Sequence, residues 1–139
     1  MLFRSFIFKR DELIFSPDGA KLATSGLGRN TQIWDVSTGK QIAILEGARS
    51  CHLFAFSPDG KKMAAVASDH TVRLWDALTG KQESVFAGHT GRINSLAFSP
   101  DGEKLATGGE DATVLVWEVA NRKPSILEVP CGEIGRAHV

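Results

Sequence analysis

Leu96-Ala97-Phe98-Ser99-Pro100-Asp101-Gly102, followed by Leu105-Ala106-Thr107 and then by Thr113 to Trp117, decides the fold because its pattern occurs three times. Ser-Pro-Asp-Gly stands at 16 to 19, 57 to 60 and 99 to 102, and a tryptophan follows each serine by 18 residues, at Trp34, Trp75 and Trp117. The repeat length is therefore 41 and then 42 residues. Self-similarity at such a period means a structural unit copied along the chain.

Each unit reads as four short strands. In the first, Leu13 to Phe15, Lys21 to Ser25, Thr31 to Val36 and Gln41 to Leu45 are β-branched or alternating, with turn residues between them. Ser16-Pro17-Asp18-Gly19 closes one hairpin and Ser37-Thr38-Gly39-Lys40 the next. Proline presets a negative φ and glycine accepts a positive one. The second unit places strands at Leu53 to Phe56, Lys62 to Ala67, Thr71 to Asp76 and Gln82 to Phe86. The third begins at Arg92 and ends with Ser125 to Val129; Ala120 to Lys123 replaces the Thr-Gly-Lys turn. Residues 2 to 8 suit an orphan strand of an upstream or exchanged unit. After Pro130 the pattern stops, so 1–10, 11–129 and 130–139 divide the chain, with units at about 11–46, 51–87 and 92–129.

A four-stranded unit with apolar residues on both faces cannot bury them alone, and stacking units face to face around an axis solves this. Val72, Leu74 and Trp75, with Val114, Val116 and Trp117, are the expected packing residues.

Composition narrows the function. Sixteen basic residues balance sixteen acidic ones, so the field that draws a basic domain to nucleic acid or an anionic membrane is missing, and neither partner is expected. Cys51 and Cys131 lack CxxC spacing and read as unpaired thiols. The N-terminal apolar run is broken by Arg4 and Lys9, which argues against a secretory leader and for a cytoplasmic protein. His52, His70, His89 and His138 are too dispersed for a zinc pattern, and Asp18, Asp59 and Asp101 belong to turns. Thr38-Gly39-Lys40 and Thr79-Gly80-Lys81 lack the glycine spacing and following helix of a phosphate loop. No metal, cofactor or catalytic site is expected, and the chain is read as a non-enzyme.

Gly88-His89, Phe98 to Gly102, Leu105 to Gly109, Asp111, Thr113 and Trp117-Glu118, with the dipeptides Trp34-Asp35 and Trp75-Asp76, resemble the WD40 repeat, the blade of a β-propeller family. The resemblance implies an all-β fold of three four-stranded antiparallel blades, forming a partial or oligomer-completed propeller. It also implies a hydrogen-bonded chain of His89, Thr107, Asp111 and Trp117, complete in the third unit alone. The second unit has Ala48 and Ala65 where histidine and threonine would stand, and the first keeps Thr24 and Trp34 with Gly28 at the aspartate position. Burial explains such a chain, since a sequestered carboxylate and an indole N–H each require a partner. A catalytic His89–Asp111 pair is disfavoured because the blade accounts for the same spacing.

What the resemblance implies for function is a non-catalytic scaffold holding protein partners, with contacts at Leu27, Ser68, Glu110, Arg92 and Asn94. The alternative is a regulatory or targeting propeller portion of a larger enzyme or signalling protein. Propellers close with about four to eight blades, so three units suggest a piece of a longer propeller, or self-association through the open ends.

Overall fold

The computed structural model describes residues 12–26, 29–48, 51–120 and 124–127. Their twelve strands form three four-stranded antiparallel sheets, each built from four strands consecutive in sequence. The first holds β1 (Glu12–Phe15), β2 (Lys21–Gly26), β3 (Arg29–Asp35) and β4 (Gln41–Ile44). The second holds β5 (Cys51–Phe56), β6 (Lys62–Ala67), β7 (Thr71–Asp76) and β8 (Gln82–Ala87). The third holds β9 (Ile93–Phe98), β10 (Lys104–Gly109), β11 (Val114–Glu118) and β12 (Pro124–Leu127). The segments 1–10 and 130–139 and the candidate contact residue Leu27 lie outside the described residues.

The Ser-Pro-Asp-Gly turns repeat atom for atom. Ser16, Ser57 and Ser99 each donate their hydroxyl to the aspartate two residues on, at 2.7, 2.6 and 2.5 Å. Each serine oxygen also accepts the N–H of the residue that opens the next strand, Lys21, Lys62 or Lys104. The aspartate Oδ1 accepts the backbone N–H of Ala20, Lys61 or Glu103, at 3.0 Å in every copy. These donors hold Asp18, Asp59 and Asp101 below the usual carboxylate range, the largest cause being the Ala20 N–H for Asp18 and the serine hydroxyl for the other two. Gly102 closes the third turn at φ +74°, a region where a Cβ crowds the following carbonyl. Gly102→Val is expected to lower stability by about 1 kcal/mol or more, read as a shift in the denaturant midpoint with no change in its slope.

Several strand boundaries differ from the sequence reading by one or two residues, and two of the differences have a local cause. β5 starts at Cys51, ahead of Leu53, because Leu53 is a bulged residue at φ +52° between the paired positions His52 and Phe54. A bulge breaks the alternation by which a strand is recognised. β12 starts at Pro124, opposite Trp117; proline is tolerated as the first residue of a sheet strand.

Stacking follows from the pleat. Residues directly opposite across a ladder share a face, so Phe56, Met63 and Trp75 lie together, as do Phe98, Leu105 and Trp117, and Phe15, Leu22 and Trp34. The tryptophan-bearing face of the second sheet packs on Ala23, Ile33, Ala43 and Leu45 of the first. Its opposite face, with Ala64, Val66, Val72, Leu74 and Phe86, receives Ile93, Leu105, Leu115 and Trp117 of the third. Val72 and Leu74 therefore pack in a different seam from Trp75. Val114 and Val116, expected to pack beside Trp117, point away from it and stay half-buried, while Leu115 fills the seam. The three sheets make an open arc and do not close into a ring.

Candidate functional site

The most connected set of polar side chains lies where the third sheet meets the β8–β9 connection. Trp117 Nε1 donates to Thr107 Oγ1 at 3.0 Å, and Thr107 Oγ1 lies 2.7 Å from His89 Nε2. His89 Nδ1 lies 3.0 Å from Asp111 Oδ2 and 3.2 Å from Oδ1. The carboxylate only accepts, so Nδ1 carries the proton, and in the neutral ring Nε2 accepts the threonine hydroxyl. The donors thus run one way, from indole through hydroxyl and imidazole to carboxylate. The His89 side chain is fully buried and that of Asp111 is 8% exposed.

Asp111 also accepts the Thr90 N–H at 2.9 Å and the Thr113 hydroxyl at 2.7 Å. Desolvation alone would raise its pKa. The Thr113 hydroxyl, the Thr90 N–H and His89 outweigh it and hold the carboxyl well below the usual range. Gly109 and Gly88 make room for the set. A Cβ on Gly109 would lie 2.8 Å from Asp111 Oδ1 and 2.9 Å from His89 Nδ1, and one on Gly88 would lie 2.9 Å from Trp117 Cη2.

The other two blades handle the same positions differently. In the first, Trp34 Nε1 donates to Thr24 Oγ1 at 2.9 Å. In the second, Ala65 offers Trp75 no hydroxyl, and the indole donates instead to the Glu46 carbonyl at 2.6 Å. Glu46 is itself pinned, its N–H donating to the Gly80 carbonyl at 3.0 Å. Asp69, deprived of a histidine, pairs with Arg73 at 3.0 Å and accepts the Thr71 hydroxyl at 2.5 Å. Its carboxyl is held below the usual range, by Thr71 first and then by Arg73 against some desolvation. Neither Arg73 nor the Glu46 carbonyl figures in the sequence reading; only Ala48 and Ala65, as gaps in the pattern, signal that some substitute is required.

A testable consequence concerns Ala65, which is completely buried. Ala65→Thr restores the residue type of the third blade, yet Trp75 already has its acceptor. The new hydroxyl would be buried in a filled seam, and the variant is expected to lose about 1–2 kcal/mol. Equal or higher thermal stability would contradict the assigned Trp75–Glu46 bond.

The rim opposite the Ser-Pro-Asp-Gly turns carries the remaining candidates. Ser68, Glu110, Arg92 and Asn94 are all exposed. The Glu110 N–H donates to the Arg92 carbonyl at 2.7 Å, which fixes the β10–β11 turn against the start of β9. Asn94 Oδ1 accepts from Ser95 at 3.3 Å. On the other rim a cleft of about 680 Å³ is lined by Lys62, Glu83, Lys104 and Glu118 among others, and Lys62 and Glu83 pair at 2.5 Å. Its charges are mixed and do not converge on one point.

Cys51 is a free thiol, and burial pushes its pKa up to about 11, so it is a poor nucleophile at neutral pH. Among the described residues no group of three His, Cys, Asp or Glu side chains is placed to hold a metal, and no helix is long and apolar enough to cross a membrane.

Three four-stranded antiparallel sheets stacked by alternate faces, with a tryptophan of one sheet buried against the next, define β-propeller blades. The WD domain, G-beta repeat, matches residues 39–76 and 80–118, more than half of the chain. The chain belongs to this WD40 family. Each match starts just before the outer strand of one sheet and ends with the third strand of the next, so the sequence repeat is offset from the blade by one strand. The first sheet, whose strands β1 to β3 lie outside both matches, has the same topology.

Among solved structures, the chain resembles a crystal structure of the RRP9 WD40 repeats, at TM-score 0.71 and 25% identity over 81% of this chain. A structure of U3-55K matches with the same TM-score at 24% identity, again over 81% of this chain. This chain spans 36% of the length of each. Among curated proteins none matches.

Proposed function

We propose that this chain is a non-catalytic protein-binding scaffold whose partner contacts lie on the rim bearing Ser68, Arg92, Asn94 and Glu110. One observation carries the reading. The polar groups that resemble chemistry, His89, Thr107 and Asp111, are consumed by one another, whereas the Ser68, Arg92 and Glu110 side chains are exposed and make no side-chain hydrogen bond to other described residues. Exposed polar groups on a rigid frame are available to a partner, and satisfied buried ones are not.

The test pairs binding with folding. Arg92→Glu combined with Glu110→Arg should abolish partner capture at unchanged thermal midpoint, while a matched double change at Lys40 and Lys81, on the opposite rim, should leave capture intact. Loss of capture in both double variants, or in neither, would overturn the rim assignment.

The second reading is a regulatory or targeting part of a larger enzyme or signalling protein. Sequencing the full transcript decides it: catalytic motifs in the same reading frame support this reading, and further blades alone support the scaffold.

A further inference from the structure

We infer that the cleft between the second and third sheets, on the Ser-Pro-Asp-Gly rim, is a docking groove for an extended peptide of a partner protein, anchored by one aliphatic side chain. Its volume of about 680 Å³ falls within the range of ligand-sized pockets. The first observation is a buried hydroxyl with nothing to bond. Ser84 pairs with Leu74 across the β7–β8 ladder, and both line the cleft. Ser84 is 7% exposed, yet its hydroxyl makes no hydrogen bond to another described residue. A buried hydroxyl without a protein partner costs free energy, and one bordering an open cleft is placed to bond whatever enters.

The second observation is that the seam between the first and second sheets is closed at the same place. There Ala43 stands opposite Ile33 where Ser84 stands opposite Leu74, and Ile42 packs on the core where Glu83 stands. Ala77 is completely buried, whereas Val119, its equivalent, is half-buried. Gly80 closes that seam with its backbone: its carbonyl accepts the Glu46 N–H at 3.0 Å, and a Cβ on it would lie 2.1 Å from the Ile44 carbonyl oxygen. Only glycine can take so close a seat, and in sequence Arg122 stands at the Gly80 position of the third unit. The cleft is therefore a property of this seam and not of the blade repeat.

The lining determines what fits. Leu74 and Val119 offer an apolar floor to one aliphatic side chain, and the Ser84 hydroxyl can bond a backbone amide beside it. At the mouth Lys62 is taken by Glu83, and Glu118 is likewise engaged. Glu103 and Lys104 are exposed and make no ion pair or side-chain hydrogen bond with another described residue, which leaves one anion and one cation for the occupant. An extended segment whose aliphatic residue is flanked by an acidic and a basic one satisfies all of these groups. A polyanion would instead face Glu83, Glu103 and Glu118. This surface is additional to the rim bearing Ser68 and Arg92, and its failure would leave that reading standing.

Titration of the isotope-labelled chain with the blocked pentapeptide Gly-Lys-Leu-Asp-Gly, followed by amide chemical shifts, tests the inference. The reversed peptide Gly-Asp-Leu-Lys-Gly runs alongside, since the groove admits either strand direction. With one of the two, shifts should saturate at Leu74, Ser84, Glu103 and Val119 and stay absent at Ser68 and Arg92. Replacing the peptide's leucine by alanine should weaken binding about tenfold. Ser84→Ala should weaken it about threefold or more at an unchanged thermal midpoint, because Ala43 shows that the fold accepts alanine there. Lys104→Glu should turn the preference toward Gly-Lys-Leu-Lys-Gly. No saturable shift at millimolar peptide, equal affinity for the leucine and alanine peptides, or undiminished binding by Ser84→Ala would overturn the proposal.

Discussion

Trp117→Ala is expected to cost about 3–5 kcal/mol, and Trp34→Ala, at the equivalent position, clearly less. Trp117 is 1% exposed in the seam with the second sheet, with its ring 5.4 Å from that of Phe86, and Thr107 accepts its indole N–H. Truncation removes the apolar burial and the ring contact, leaves a cavity between two sheets that cannot slide together, and strips Thr107 of a donor. Trp34 keeps the same bond to Thr24 but is only half-buried, because no sheet among the described residues covers its face. Denaturant unfolding of the two variants measures the difference directly. Equal losses would mean that the first sheet's tryptophan face is covered in solution.

The alternation of strands and the turn chemistry could be read in the residues because both are local. Ser16, Ser57 and Ser99 make the same bonds within five residues of themselves, so their sequence determines their geometry. The network of the third blade was legible for another reason: His89, Thr107, Asp111 and Trp117 are all side-chain partners, and each has to be encoded as a particular residue type. The substitute in the second blade was not legible. A backbone carbonyl such as that of Glu46 has no residue signature, and Arg73 reads as an ordinary strand residue until the fold pairs it with Asp69.

Face assignment also lay beyond the sequence. Val114 and Val116 alternate with Leu115 and Trp117, and the period alone says that the two pairs point opposite ways. Which pair meets a neighbouring sheet depends on the order of stacking. The bulge at Leu53 is a third case, since leucine gives no hint of a positive φ and glycine or asparagine would.

The second blade shows how far the family pattern can drift without losing the fold. Its indole N–H and its aspartate both find partners, but the two bonds no longer belong to one chain of donors. In the third blade a change at His89 is felt by Thr107 and Asp111 together; in the second, Asp69 is 53% exposed on its side chain and water can replace what a mutation removes. Energetic weight therefore concentrates in the seam between the second and third sheets.

His89→Ala is expected to destabilise the chain by about 1–3 kcal/mol, while His70→Ala should stay within about 0.5 kcal/mol of the parent. Removing the imidazole leaves the Thr107 hydroxyl without its acceptor and takes one donor from a carboxylate that is 8% exposed. His70 occupies the turn position that Ala112 fills in the third blade, at φ +68° against +65°, so the chain itself shows that alanine is accepted there. A pH series sharpens the assignment through Asp111→Asn. Because the folded-state pKa of Asp111 lies below its unfolded value, its ionisation stabilises the fold fully above the ordinary carboxylate pKa of about 3.9. That contribution drains away as the pH falls from there toward the folded value. The parent should accordingly exceed Asp111→Asn in stability at neutral pH, and the gap should narrow on acidification below about pH 4. Asp18, Asp59, Asp69 and Asp101 are shifted in the same direction in both proteins and cancel in the difference. A gap that stayed constant down to low pH would show that the carboxylate's charge contributes nothing, and with it the one-way chain from Trp117 to Asp111 would fall.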